Sequence, residues 1–296
     1  MVITALPLNE NAKVTTFLTN KSTVPSNTLS ELENNENTKN LILMGHDQGT
    51  MVNITEDFCK KFPNNQTAVG VLSIDKSFYA GLERSCIVNG KSYQSGSLGV
   101  IIENSNMKVL RSYGVAPIST TYEITDMIED TITTVNNEPI EKLFYSAFKE
   151  LRELGALSDD SSIQIGLLKQ PDADENDVES YELQLLSNFA PERLLTPTSG
   201  FCQVGDKFRL FVKSPKFCLG DWQNYVKEKE HSPKGIYMFH SLHRGSPMHG
   251  KSRKEHHIIE SGFDCPISGV FTSTEVIGKY SKYLGSTNSL AIYFYD

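Results

Sequence analysis

The chain has 296 residues, 39% hydrophobic and 22% charged, an ordinary globular composition that can bury one large core or two small ones without help from disulfides or metals. Its formal charge is −8, and its densest basic group is only Lys251, Arg253 and Lys254, so the electrostatic footprint of nucleic-acid binding is missing. Five scattered cysteines without a C-x-x-C pair predict a reducing compartment, cytoplasmic or nuclear, and argue against a structural zinc.

Met1 to Pro7 is apolar, but Asn9, Glu10 and Asn11 interrupt it before it reaches signal-peptide length. No run approaches the ~20 apolar residues of a membrane span. Residues 1–39, rich in Asn, Thr, Ser and Glu, read as a flexible lead-in. Order is expected from Asn40 to Gly45, an apolar run stopped by glycine, as in a buried strand. A short helix follows at Thr55 to Phe62, then strands at Ala68 to Ile74, Leu98 to Ile102, Met107 to Val115 and Thr131 to Val135.

The clearest helix opens after Asn137, read as its N-cap, with Pro139 in the first turn. Ile140, Leu143, Phe144, Ala147, Phe148, Leu151 and Leu154 give it one apolar stripe, and Gly155 suits its end. Ser162 to Leu168 and Tyr181 to Leu186 read as strands flanking an acidic connection, and Phe201 to Val212 as a hairpin turning at Gly205-Asp206. Helices are expected at Asp221 to Lys229 and Lys251 to Ser261. The remaining strands are Gly235 to Phe239, Ile267 to Thr272 and Leu290 to Tyr295. The predicted class is α+β (mixed α/β), β-sheets flanked by helices.

Six of the seven histidines, His231, His240, His243, His249, His256 and His257, crowd the last part of the chain. His240 and His243 would converge on a metal only if both were helical. They follow an apolar strand and precede Arg244-Gly245-Ser246-Pro247, so a loop is the better reading. No cysteine or paired carboxylate completes a ligand set, and neither metal nor cofactor is expected.

Gly245 to Ser252 matches the phosphate-loop pattern, but Pro247 removes one of the N–H groups that such a cradle needs. The acidic run from Asp172 begins like a calcium loop, then fails at Asp177 and Leu183; a solvated loop between strands is simpler. Gly45-His46-Asp47-Gln48-Gly49 has the outline of a nucleophile elbow with Asp47 where serine is required.

Two segments remain, Phe239 to Gly245 and Pro266 to Ile277, each a strand leading into a polar turn. Arg244 offers a planar fork for a carboxylate, and Glu275 an acceptor for an ammonium; a structural ion pair between the two is the simpler reading. Ser241 with His240 or His243 as base would make a hydrolase, but no third, orienting group can be named.

Phe239-His-Ser-Leu-His-Arg-Gly245, followed by Gly269-Val-Phe-Thr-Ser-Thr-Glu275-Val-Ile277, resembles the C-terminal pattern of the FIST family (F-box and intracellular signal transduction). Gly96 to Ile102, Ser112 to Pro117, Tyr122 to Thr125 and Asn137 to Ile140 are similar to that family's junction between halves. Leu242 stands where the family has a common cysteine, and Thr274 where it has glycine.

The resemblance implies two related halves, a shortened N-terminal one at 40–136 and a C-terminal one at 137–296. It implies a non-enzymatic sensory module that binds a small ligand, such as an amino acid or a peptide end, through His240, Ser241, His243, Arg244, Gly245, Gly269 and Glu275. The alternative it carries is a protein-interaction adaptor with ubiquitin-ligase components as partners, although Leu6-Pro7 and Phe17-Leu18 are too little to make an F-box.

Overall fold

A computed structural model of the protein describes residues 8–21, 23–32, 38–45, 48–62, 66–71, 86–88, 91–93, 96–153, 162–168, 170, 172–186, 189–190, 193–195, 202–228, 232–251, 253–272, 274–277 and 289–295. They fall into two compact units, one drawn from residues 1–112, 224–245 and 256–296, the other from 113–223 and 246–255.

The first unit contains two sheets built to one plan. In the first, β1 (Lys13–Thr19), β2 (Lys39–Gly45), β3 (Thr67–Val71) and β6 (Ser97–Glu103) lie in the order β1-β6-β2-β3. Strands β2 and β3 are parallel, and β6 runs antiparallel to both β2 and β1. In the second, β7 (Met107–Ser112), β17 (Gly235–Ser241), β18 (Ile267–Thr272) and β20 (Ser289–Phe294) lie in the order β7-β20-β17-β18. Here β17 and β18 are the parallel pair, and β20 is antiparallel to β17 and β7.

A parallel pair needs a crossover, and each sheet has a helical one. Helix α2 (Gln48–Lys61) joins β2 to β3; α5 (Ser246–His249) and α6 (Lys254–Gly262) lie between β17 and β18. Helix α1 (Ser26–Leu32) precedes β2, and α4 (Pro215–Lys227) precedes β17. The two sheets thus share one strand order. The second sheet takes its first strand from Met107, since β7 pairs with β20 along its whole length.

The apolar run in β2 is buried on both faces, which explains its lack of alternation. Leu41 and Leu43 join Phe17, Met51, Ile54, Phe58, Val69 and Ile101 beneath α1 and α2. Ile42 faces the other way, with Ala68, Ile102, Phe239, Leu290, Ile292 and Phe294, so the two sheets stack face to face. Gly70 allows that contact, since a Cβ there would lie 2.5 Å from a Phe239 ring carbon. On the outer face of the second sheet Phe263 meets Tyr293 edge-on at 5.2 Å. Also there, Tyr225 donates its hydroxyl to the Arg111 carbonyl at 2.8 Å. The layers of this unit are therefore helix, sheet, sheet, helix.

Two expectations for the N-terminal region change. The lead-in holds a strand, β1, paired from Lys13↔Glu103 to Thr19↔Ser97, and the helix α1, which buries Leu29 and Leu32. Helix α2 starts at Gln48 rather than Thr55, because Met51 and Ile54 extend the stripe of Phe58 backward by about two turns. Strand β19 (Thr274–Ile277), which comes from the second half of the chain, pairs antiparallel with β3 of the first sheet. A small hairpin of β4 (Cys86–Val88) and β5 (Lys91–Tyr93) lies between β3 and β6 in the chain.

The second unit interrupts the second half in sequence. Its antiparallel sheet runs β13 (Tyr181–Leu185), β12 (Ser162–Leu168), β16 (Lys207–Lys213), β9 (Tyr122–Ile128), β10 (Thr131–Val135), β15 (Arg193–Leu195), β14 (Phe189–Ala190). Strand β8 (Val115–Pro117) also pairs with β16, and β11 (Glu138–Pro139) with β10. Helix α3 (Ile140–Glu153) buries Ile140, Leu143, Phe144, Ala147 and Leu151, the stripe read from the sequence.

Asn137 is not the N-cap of α3. Asn136 and Asn137, with φ of 49° and 61°, are the two central residues of a tight turn joining β10 to β11. Asparagine tolerates that left-handed backbone, and the Asn136 carboxamide also accepts from the Glu123 N–H at 2.9 Å. The expected hairpin at Gly205-Asp206 is a local turn as well, with Gln203 N–H donating to Asp206 Oδ2 at 2.8 Å, and strand structure resumes only at Lys207. Among the described residues no helix is long and apolar enough to cross a membrane.

Candidate functional site

At the carboxyl ends of β17 and β18, four residues from four strands fall in one cross-strand row: Ser112, Ser289, His240 and Phe271. The Ser289 hydroxyl lies 3.0 Å from His240 Nδ1 and accepts the Ser241 N–H at 3.4 Å. His240 sets its ring edge-on to Phe271, centroids 5.3 Å apart. Thr272 donates to the His240 carbonyl at 3.3 Å. The hydroxyl residues Ser112, Ser241, Thr272 and Ser289 are all fully buried, while Phe271 is 45% exposed and His240 half-buried. The row thus runs from a buried polar end to an open aromatic one.

Arg244 follows β17 on a single 3-10 turn, Leu242–Arg244. It is fully buried, and it donates from Nη1 to the Ser112 carbonyl and from Nη2 to Ser112 Oγ, both at 2.7 Å. These charge-assisted bonds tie the turn after β17 to the end of β7. The fork expected for a ligand carboxylate is therefore turned inward, onto Ser112.

Of the other sequence-derived site residues, Gly245 sits beside Phe271, whose ring would be 3.4 Å from a Cβ there. Gly269 packs closely against β17, since a Cβ would lie 2.2 Å from the Met238 carbonyl oxygen. Glu275 belongs to β19, opposite Gly70 in the first sheet. The side chains of Glu275 and His243, and the whole of His46 and Asp47, lie outside the described residues. Gly45 ends β2 and Gln48 opens α2, so a strand and a helix flank that segment.

Among the described residues the histidines do not converge. His249 lies in the core of the second unit, its Nε2 2.8 Å from Glu255 Oε1, while Trp222 donates to Glu255 Oε2 at 2.6 Å. His256 and His257 stand on α6 near Glu260. No group of metal-binding type occurs among the described residues. The Trp222–Glu255–His249 cluster escaped the sequence reading. Its signal was the chain's one tryptophan, which seldom lies fully buried without a partner for its N–H.

The phosphate-loop match folds as the one-turn helix α5, with Gly250 N–H donating back to the Ser246 carbonyl at 2.9 Å, so no open cradle forms. The acidic segment is a solvated loop, as read. Asp174 and Asp177 accept from Asn176 and Glu179 N–H groups, and the hydrogen bond from Lys207 holds the half-buried Glu175 carboxyl below its ordinary range.

The first sheet has an equivalent row, Thr19, Ser97, Gly45 and Val71, at the carboxyl ends of β2 and β3. Its hydroxyls match those of the second sheet, but Gly45 and Val71 replace His240 and Phe271. A Cβ at Gly45 would lie 2.7 Å from Ser97 Oγ and 2.9 Å from Met51 Sδ, so this row has no room for an imidazole. The two rows end on the same side of the unit, where Val71 pairs with Thr274 and Gly70 packs against Thr272. No family model and no curated protein matches the chain.

Proposed function

We propose that the protein is a FIST-like recognition module that binds a small ligand, an amino acid or a peptide end, at the open end of the second sheet's row. The observation that carries this reading is the arrangement of His240 and Phe271. An exposed aromatic ring stands beside a half-buried imidazole whose Nδ1 is held by a buried serine. Phe271 supplies apolar contact, and His240 a polar contact that suits a carboxylate. Ser289, Ser112 and Arg244 form the frame that fixes them. Carboxyl ends of parallel strands are where α/β sheets commonly mount ligand contacts. The proposed setting is the cytoplasm or the nucleus, and no catalytic step is assigned.

The test is a thermal-shift screen of amino acids, dipeptides and small carboxylates against wild type, His240→Ala and Phe271→Ala. A ligand held at one hundred times its Kd stabilises a protein by about 2.7 kcal/mol, a readily measured shift. Stabilisation of wild type that is lost in both variants supports the site. No stabilising compound, or stabilisation that both variants retain, refutes it.

A second reading, a protein-interaction adaptor with ubiquitin-ligase partners, rests on Ile128 and Tyr145, which are 66% and 84% exposed in the second unit. Recovery of ligase subunits with wild type but not with an Ile128→Glu, Tyr145→Ala variant favours it. Equal recovery, or none, removes it.

A further inference from the structure

At the opposite end of the first sheet, where β2 and β3 begin, lies a cleft of about 560 Å³. Its polar lining comprises Thr38, Asn40, Gln66, Asn104, Ser105 and Asn106, and Met107 is the single apolar member. Residues 104–106 are the link between β6 and β7, so the cleft forms where the chain passes from the first sheet to the second.

Part of the lining is committed to the scaffold. Asn40 donates to the Ser105 carbonyl at 3.1 Å and accepts from the Gln66 N–H at 3.1 Å. Asn104 donates from its side chain to the Asn11 carbonyl at 3.2 Å, and the Asn104 N–H donates to the Thr38 carbonyl at 3.1 Å. These bonds fix the walls. Thr38, Gln66 and Asn106 are exposed and face the solvent.

The Ser105 hydroxyl is the second observation. Ser105 is 6% exposed, and its Oγ is buried without a hydrogen-bond partner. A buried hydroxyl left unpaired costs about 1–3 kcal/mol, so native structures usually satisfy one or use it.

The chemistry of the lining selects the ligand. Among the described residues that line the cleft none is charged, so an anion would meet no cation and a cation no carboxylate. An apolar guest would strand the carboxamides in a dry contact. Carboxamides and hydroxyls each both donate and accept, which matches groups that do the same. We propose that this cleft binds a neutral polyhydroxylated ligand, in the chemical class of a saccharide ring, with Ser105 Oγ, Gln66 and Asn106 as its contacts. The volume lies within the usual range of small-molecule sites.

The test is an NMR titration of the full chain with D-glucose, N-acetyl-D-glucosamine and myo-inositol, with free lysine and glutamate as charged probes, following the side-chain amide signals of Asn40, Gln66, Asn104 and Asn106, of which those of Asn40 and Asn104 report in every variant. At least one neutral probe is expected to shift those signals saturably, and Gln66→Leu with Asn106→Leu is expected to weaken it roughly ten-fold. Both residues are exposed, and an unchanged melting temperature shows that this variant is folded. Ser105→Ala separates a ligand contact from a structural one. Binding weakens while melting temperature holds or rises, because the substitution removes an unsatisfied group from the free protein. The proposal is overturned if no neutral probe saturates, if the leucine variant binds as well as wild type, or if lysine or glutamate binds as tightly as the neutral probes.

Discussion

At the ends of their parallel strands the first sheet carries Thr19, Ser97, Gly45 and Val71, and the second carries Ser112, Ser289, His240 and Phe271. One strand plan thus bears two kinds of row. Hydroxyls stand at the same two places in both, on the outer strand and the central antiparallel one. The parallel pair differs: glycine and valine in one half, an imidazole and an exposed aromatic ring in the other. The shared strand order therefore does not bring shared chemistry. In the first row Met51 and Ser97 fill the space above Gly45, and in the second a buried guanidinium holds the frame while the row's far end stays open.

That contrast can be broken at several points. Arg244→Ala should have the largest effect, a loss of roughly 3–5 kcal/mol in urea unfolding, because it removes two charge-assisted bonds and leaves a large buried void. Gly45→Ala comes next, at about 1–3 kcal/mol, since its new methyl group collides with Ser97 and Met51. The converse change, His240→Gly, should abolish ligand stabilisation whatever its cost to the fold. Were Gly45→Ala neutral, the first row would have room for a site and the two halves would not differ as described.

The serines give the smallest but sharpest test. Ser289→Ala should cost about 1 kcal/mol and alter the tautomer balance of His240 in its imidazole NMR signals. Ser97→Ala should be neutral or slightly stabilising, because Ser97 Oγ is buried without a partner. Equal effects at the two positions would erase the distinction between the rows.

What could be read from sequence follows from where each segment's partners lie. Asn40 to Gly45, Ser162 to Leu168 and Ile267 to Thr272 were legible as strands from their own β-branched and apolar content. Strand β1 was not, because its one deeply buried apolar side chain, Phe17, is set among threonines, and its order comes from β6, far along the chain. Asn137 was misread because asparagine serves both caps and left-handed turns, and only the pairing of Val135 with Glu138 decides between them. His240, Ser241, Arg244 and Gly245 could be grouped from sequence because they are local. The members that complete the row, Ser112 and Ser289, come from strands that no short motif connects to them. The inward turn of Arg244 was equally invisible, because it depends on Ser112.

Strand β19 gives the molecule a schedule as well as a shape. Val71 stays without its antiparallel neighbour until Thr274 has been made, so the first sheet cannot be finished by the first half of the chain. During synthesis the outer edge of β3 is an open template for mispairing, and the most distant pairing in the unit must close it. The two halves therefore reach their final fold together, and a fragment ending at Glu103 would retain that exposed edge.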